Sequence, residues 1–172
     1  NFLPEEIFLE LKKELNQNLN IIQRKFESPL ESKTIYKNSK MKNSSKNLVS
    51  LMASREIKKV IKEKTGEMEI LSMGETKDYS GYSPYHITNN NGFLGSHIDH
   101  SNIQSGKFRH IANTIFFASN SWEEKWGGQT IFFSNNGLNQ EILVEPIPNR
   151  LLVFIHTANS FHGVKNYFSD KN

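Results

Sequence analysis

The sequence predicts a mainly β protein with helices at its N-terminus, an α+β fold whose second half is an antiparallel sandwich or barrel. Two observations carry that reading. From about residue 112 onward, short runs of branched and aromatic side chains recur between clusters of Asn, Gly, Pro and Ser, as strands do between turns. Ahead of them, apolar residues return at helical rather than alternating spacing. The 172 residues suit one domain over 1–172 with a sizeable core, divided into a helical support over 1–66 and a β core over 67–172.

Leu3, Ile7, Leu11, Leu15 and Leu19 recur every four residues around Pro4 and Glu5-Glu6, which predicts an amphipathic helix with its acidic residues at the positive end of the dipole. Glu27 to Asn43 is polar and lysine-rich, starts with Ser28-Pro29 and keeps no period, so it reads as a long loop. A second helix is expected from about Ser45 to Thr65, apolar at Leu48, Leu51, Met52, Ile57, Val60 and Ile61, with Gly66 as its stop. The expected strands are Ala112 to Ala118, Gln129 to Phe133, Glu141 to Val144 and Arg150 to His156. The second of them is framed by Gly127-Gly128 and the turn sequence Ser134-Asn135-Asn136-Gly137.

Composition narrows the function classes. Residues 1–66 hold 14 Lys/Arg against 8 Asp/Glu, and residues 67–172 hold 7 against 10, so the basic character belongs to the helical part and the β part is net acidic. The lysines of the second helix alternate with apolar positions, as on a solvated helix face, and no aromatic platform is interleaved with them. Nucleic acid is therefore a disfavoured partner. No stretch is long and apolar enough to span a membrane, and no signal-peptide pattern opens the chain at Asn1. The absence of cysteine removes disulfides and thiolate ligands and fits a reducing compartment. The expected location is the cytoplasm, and the expected state a monomer.

The chemistry concentrates in His97-Ile98-Asp99 and in the lone His162 of Ser160-Phe161-His162-Gly163-Val164. Residues two apart on an extended segment share one side, so His97 and Asp99 can converge on an ion while Ile98 points away. Two imidazoles and one carboxylate cap one face of Fe(II) and leave the other free. Around these residues run Gly92-Phe93-Leu94-Gly95-Ser96, then Asn113-Thr114-Ile115-Phe116-Phe117, then Trp122 to Thr130 with its glycine pair, then Pro148-Asn149-Arg150-Leu151-Leu152-Val153-Phe154.

In this order the segments, from about Tyr82 to the C-terminus, resemble the catalytic core of the prolyl-hydroxylase-like family of 2-oxoglutarate and Fe(II)-dependent dioxygenases. The resemblance implies a double-stranded β-helix, or jelly roll, with His97, Asp99 and His162 as iron ligands. It implies Fe(II), 2-oxoglutarate and O2 as metal and cosubstrates, with ascorbate admissible as a reductant. The implied reaction is hydroxylation of an unactivated carbon coupled to decarboxylation of 2-oxoglutarate to succinate. Asp99 favours hydroxylation, because related halogenases vacate that position for halide. The substrate would be a peptide, with a peptidyl proline the first guess, or a small molecule.

Two further expectations follow from the resemblance. The distal carboxylate of 2-oxoglutarate needs a cation, and Lys171, nine residues beyond His162, has the family's spacing. The segment around it reads as a turn, however, and the family continues into one more core strand, so the alternative anchor lies past Asn172. The tyrosine that several prolyl hydroxylases place beside that cation corresponds to Phe117, which has no hydroxyl. Tyr85 first, then Thr114 or Thr130, are the replacements on expected core strands.

The remaining polar and aromatic residues take ordinary roles. His86, His100, His110 and His156 read as structural or surface residues, Trp122 and Trp126 as anchors of their loop, and Arg109 as either a substrate contact or an exposed structural arginine. Two other functions stay open: a non-catalytic jelly-roll module that holds a structural metal such as zinc, and a nucleic-acid-modifying member of the same superfamily.

Overall fold

The computed structural model describes residues 1–18, 22–36, 42–76, 85–103 and 106–169. Helix α1 (Glu5–Asn18) opens the fold and is followed by strands β1 (Ile22–Ser28) and β2 (Glu31–Tyr36). The residues expected to form a long loop thus include most of a hairpin. Its turn is fixed by Ser28, whose hydroxyl accepts from the amides of Leu30 and Glu31 at 3.1 and 3.2 Å. Strand β1 alternates Phe26 between charged residues, with Arg24 and Lys33 over its ring at 4.2 and 5.4 Å, so cation–π contacts replace the apolar pattern that the sequence lacks.

The single helix expected over 45–65 is two: α2 (Asn43–Met52) and α3 (Arg55–Thr65). Ser54 breaks the run with extended backbone and caps α3 by accepting from the Ile57 amide. The stop at Gly66 is borne out, with φ 74° and its amide on Lys62 O. Helix α2 has no capping side chain of its own. Glu14 of α1 reaches across and accepts from the amides of Lys42, Ser44 and Ser45 and from the Ser45 hydroxyl.

After a short helix α4 (Met73–Thr76) come strands β3 (His86–Ile87), β4 (Phe93–His97), β5 (Asn102–Ile103), β6 (Phe108–Arg109), β7 (Ala112–Phe117), β8 (Thr130–Phe133), β9 (Gln140–Val144), β10 (Arg150–Ile155) and β11 (His162–Val164). The four strands expected here are found within a residue of their expected limits. A seven-stranded sheet runs β1-β2-β4-β11-β8-β9, with β3 also on β2. It faces a smaller sheet of β10 and β7, and β5 and β6 form a separate pair. All of these pairings are antiparallel, and the whole is a jelly-roll core with helices at its N-terminus.

Helix α1 buries Phe8, Leu11 and Leu15, with Leu3 just before it, against Phe116 of β7, Tyr85, Leu48 and Ala118. The Phe2 and Phe8 rings lie 5.9 and 6.0 Å from the Phe116 ring. Asn149, at φ 64° in the turn before β10, fastens the start of the chain. Its side chain accepts from the Leu3 amide and donates to the Leu3 carbonyl, both at 2.8 Å, and its carbonyl accepts from the Phe2 amide. Covering one face of β7 in this way leaves the other face, with Asn113, Ile115 and Phe117, for the site.

Candidate metal centre

His97 is the last residue of β4 and His162 the first of β11, and the two strands are antiparallel neighbours in which these residues are paired directly. Their rings lie 4.3 Å apart between centroids. Asp99 falls just beyond the strand rather than on it, a difference from the sequence reading, yet the chain still brings its carboxylate to both rings. Its Oδ1 is 3.4 Å from His97 Nε2 and its Oδ2 is 3.5 Å from His162 Nε2. One ligand atom from each of the three residues lies within 4.8 Å of the others, and among the described residues no other such group of three His, Asp or Glu occurs.

Both imidazoles are held from behind. His97 Nδ1 donates to the Gly95 carbonyl and His162 Nδ1 to the Ser160 carbonyl, each at 3.0 Å. A carbonyl oxygen only accepts, so the ring hydrogen sits on Nδ1 and the Nε2 lone pair turns towards Asp99. Two lone pairs and a carboxylate then meet with only acceptors facing one another, an arrangement completed by a cation. Backbone partners on the far nitrogen are also how metal-binding histidines are oriented. The donor set of two nitrogens and one carboxylate therefore fits Fe(II).

Protonation follows the same geometry. Burial pushes the Asp99 carboxyl up, but the adjoining His97 and His162 rings and the hydrogen bond from Asn113 outweigh it and hold it well below the usual carboxylate range. At His162, burial outweighs the bond to Ser160 and lowers its affinity for a proton, which favours the neutral ligand form. At His97 burial acts in the same sense, but the Asp99 carboxylate and the Gly95 carbonyl reverse it and raise the value.

Access is one-sided. The side chains of His97 and Asp99 are each 32% exposed and that of His162 only 8%, so the site opens past the first two. Phe154 packs on the His162 ring at 4.9 Å and Phe132 meets Phe154 edge-on at 5.1 Å, closing the inner side.

The other expected contacts are distributed unequally. Thr130 is buried on β8, and the pairs His162 with Phe132 and Val164 with Thr130 put it on the same sheet face as His162. Thr114 alternates with Asn113 and so shares the α1 side of β7 with Phe116, away from the triad. Tyr85 packs against the α1 cluster as well. Lys171 lies outside the described residues. Arg109 pairs with Glu67, and Trp122 donates to the Gly127 carbonyl at 2.7 Å, holding its loop as expected. The glycine pair is required there: Gly127 has φ 71°, and a Cβ on it would overlap the Asn166 carbonyl.

One functional residue was not foreseen. Asn113 donates from Nδ2 to Asp99 Oδ2 at 2.8 Å. Strand alternation indicated that Asn113 and Thr114 face opposite ways, but nothing in the sequence fixed which of them faces the site.

The structure is similar to the crystal structure of a Pseudomonas putida prolyl-4-hydroxylase, with a TM-score of 0.64 at 15% sequence identity, over 98% of this chain and 83% of that chain. No curated protein matches the sequence. The model of the 2OG-Fe(II) oxygenase superfamily matches residues 81–171, a span that contains all three members of the His97, Asp99 and His162 group. A match over more than half of the chain, on a prolyl-hydroxylase-like jelly roll, makes this protein a member of the 2OG-Fe(II) oxygenase superfamily.

Proposed function

We propose that the protein is a prolyl-hydroxylase-like 2-oxoglutarate-dependent dioxygenase that hydroxylates an unactivated carbon of a peptide or small molecule, with His97, Asp99 and His162 holding Fe(II). The observation that carries the proposal is the convergence of two Nε2 lone pairs on one ionised carboxylate, each ring fixed by a backbone carbonyl. When bound, Fe(II) with 2-oxoglutarate and O2 supplies oxidative decarboxylation coupled to hydroxylation.

The chain's own residues bind, orient and exclude water. His97 and His162 present Nε2 from two hydrogen-bonded strands, so their separation is set by sheet geometry rather than by flexible loops. Asp99 stays ionised and supplies the third donor. Phe154 and Phe132 keep water from the inner side of His162. Thr130, on the face of His162, is our choice for a hydroxyl to 2-oxoglutarate, and Lys171 for the cation to its distal carboxylate. The cysteine-free composition suits a reducing cytoplasm, where Fe(II) persists.

The test is an anaerobic titration with Fe(II) and 2-oxoglutarate, watched for the weak visible charge-transfer band of the chelate, with His97→Ala as control. A band lost in the variant supports the assignment and leads to a screen of peptides, small molecules, DNA and RNA by succinate release. Metal binding without the band overturns it in favour of a non-catalytic metal-binding module.

A further inference from the structure

The polar groups behind the triad form a second layer that connects two of its members. Asp99 Oδ2 accepts from Asn113 Nδ2 at 2.8 Å. An ionised carboxylate only accepts, so the amide nitrogen of Asn113 must face it and the amide oxygen must face away. That oxygen lies 3.1 Å from His110 Nε2, which donates to it. The same nitrogen also faces the Ala112 carbonyl at 3.2 Å, which keeps the ring hydrogen there, and His110 is held in place by stacking on His156 with centroids 4.6 Å apart and planes 12° apart. His156 is buried, with Ser160 Oγ 3.4 Å from its Nδ1, and the Ser160 carbonyl is the group that holds His162. The layer thus starts at one member of the triad and ends at another.

We propose that Asn113, held by His110, is the positioning residue that fixes Asp99 as a one-oxygen ligand. With Oδ2 engaged by the amide, Oδ1, the oxygen beside His97, is left to the metal. His110 and His156, which read as structural or surface histidines from sequence, become the support of the metal centre. The inference rests on the metal-centre reading above, and it needs no turnover to be tested.

The experiment is titration of the protein with Co(II) in the absence of 2-oxoglutarate, following the visible absorption for affinity and coordination, with thermal unfolding of the metal-free protein alongside. The variants are His97→Ala, Asn113→Leu and His110→Phe. The leucine keeps the volume of the amide without its donor, and the phenylalanine keeps the stack on His156 without the hydrogen bond. The expected result is binding by the wild type and none by His97→Ala. For Asn113→Leu the dissociation constant rises about 10- to 100-fold, the usual effect of losing an outer partner of a ligand, and the Co(II) spectrum is altered. His110→Phe shifts both in the same direction and unfolds at the wild-type temperature, which keeps the test decisive if Asn113→Leu folds poorly. Wild-type affinity and spectrum in both Asn113→Leu and His110→Phe, with binding still lost in His97→Ala, overturn the positioning role and leave the metal centre standing. Binding that survives in His97→Ala overturns the metal-centre reading, and this inference with it.

Discussion

Gly163 of β11 lets that strand pass close to β4, and its replacement by alanine tests whether the spacing of the two histidine-bearing strands builds the site. A Cβ at this position would overlap the Leu94 carbonyl oxygen and lie 3.0 and 3.2 Å from the carbonyl oxygen and carbon of Gly95, all backbone atoms of β4 that no rotamer change can move. Relief requires β4 and β11 to part by roughly 0.5 to 1 Å, beyond the tolerance of about 0.5 Å within which a functional constellation works. Such overpacking costs about 1 to 3 kcal/mol, and at roughly 2 to 4 °C per kcal/mol for a chain of this size the Tm should fall by about 2 to 12 °C. Because Gly95 also holds the His97 ring, the displacement reaches the ligand itself, and Co(II) affinity should fall by about tenfold or more. The assays are thermal unfolding of the metal-free protein and Co(II) titration. Gly163→Ala with unchanged Tm and unchanged affinity would refute the idea that tight pairing of β4 and β11 sets the metal geometry.

Three other outcomes are expected. Glu14→Gln should destabilise the protein by about 1 to 2 kcal/mol at pH 7, since the carboxylate caps α2 through backbone amides. Burial pushes the Glu14 carboxyl up, but the hydrogen bonds from Ser45, Ser44 and Lys42 outweigh it and hold it below its usual value. Its contribution is therefore full above the carboxyl's unfolded pKa of about 4.3 and is lost as pH falls through the folded value. Denaturant melts at several pH values should show the gap between wild type and Glu14→Gln closing on acidification, and a constant gap would sink the assignment. Asn149→Ala loses both bonds to Leu3 and strains a positive φ, whereas Asn149→Gly loses only the bonds, so urea melts should rank wild type above glycine and glycine above alanine. Leu11→Ala, at a side chain 1% exposed in the α1 cluster, should cost about 2 to 5 kcal/mol by the same measurement, and a loss below 1 kcal/mol would show that α1 is loosely docked.

The β half was legible because its strands are bounded by turn residues and built from branched and aromatic side chains, so β7, β8, β9 and β10 lie close to their expected limits. The first half was less so. A four-residue repeat outruns the 3.6-residue turn, which is why Ile7 ends 46% exposed and Phe8, off the repeat, is buried in its place. Strands β1 and β2 were hidden by their charged residues, since Phe26 of β1 is covered by cations rather than by apolar neighbours. In the site, His97, Asp99 and His162 could be picked out because ligand chemistry restricts residue type. Tyr85 and Thr114 could not be oriented, because which face of a strand meets the core depends on where α1 docks, and that contact is made far along the chain. His110 and His156 escaped for the same reason: their partnership is a stack between segments that only the fold brings together.

The direct pairing of His97 with His162 has a consequence for how the protein folds. Side chains along a strand alternate between faces, so a slip of β11 by one residue against β4 would carry one imidazole to the far side of the sheet and dissolve the donor set. An ion that needs both rings therefore recognises one alignment and no other. It acts as a gauge of register, drawing misaligned chains towards the correct pairing by mass action, and at a thousand times its dissociation constant it would favour that alignment by about 4 kcal/mol.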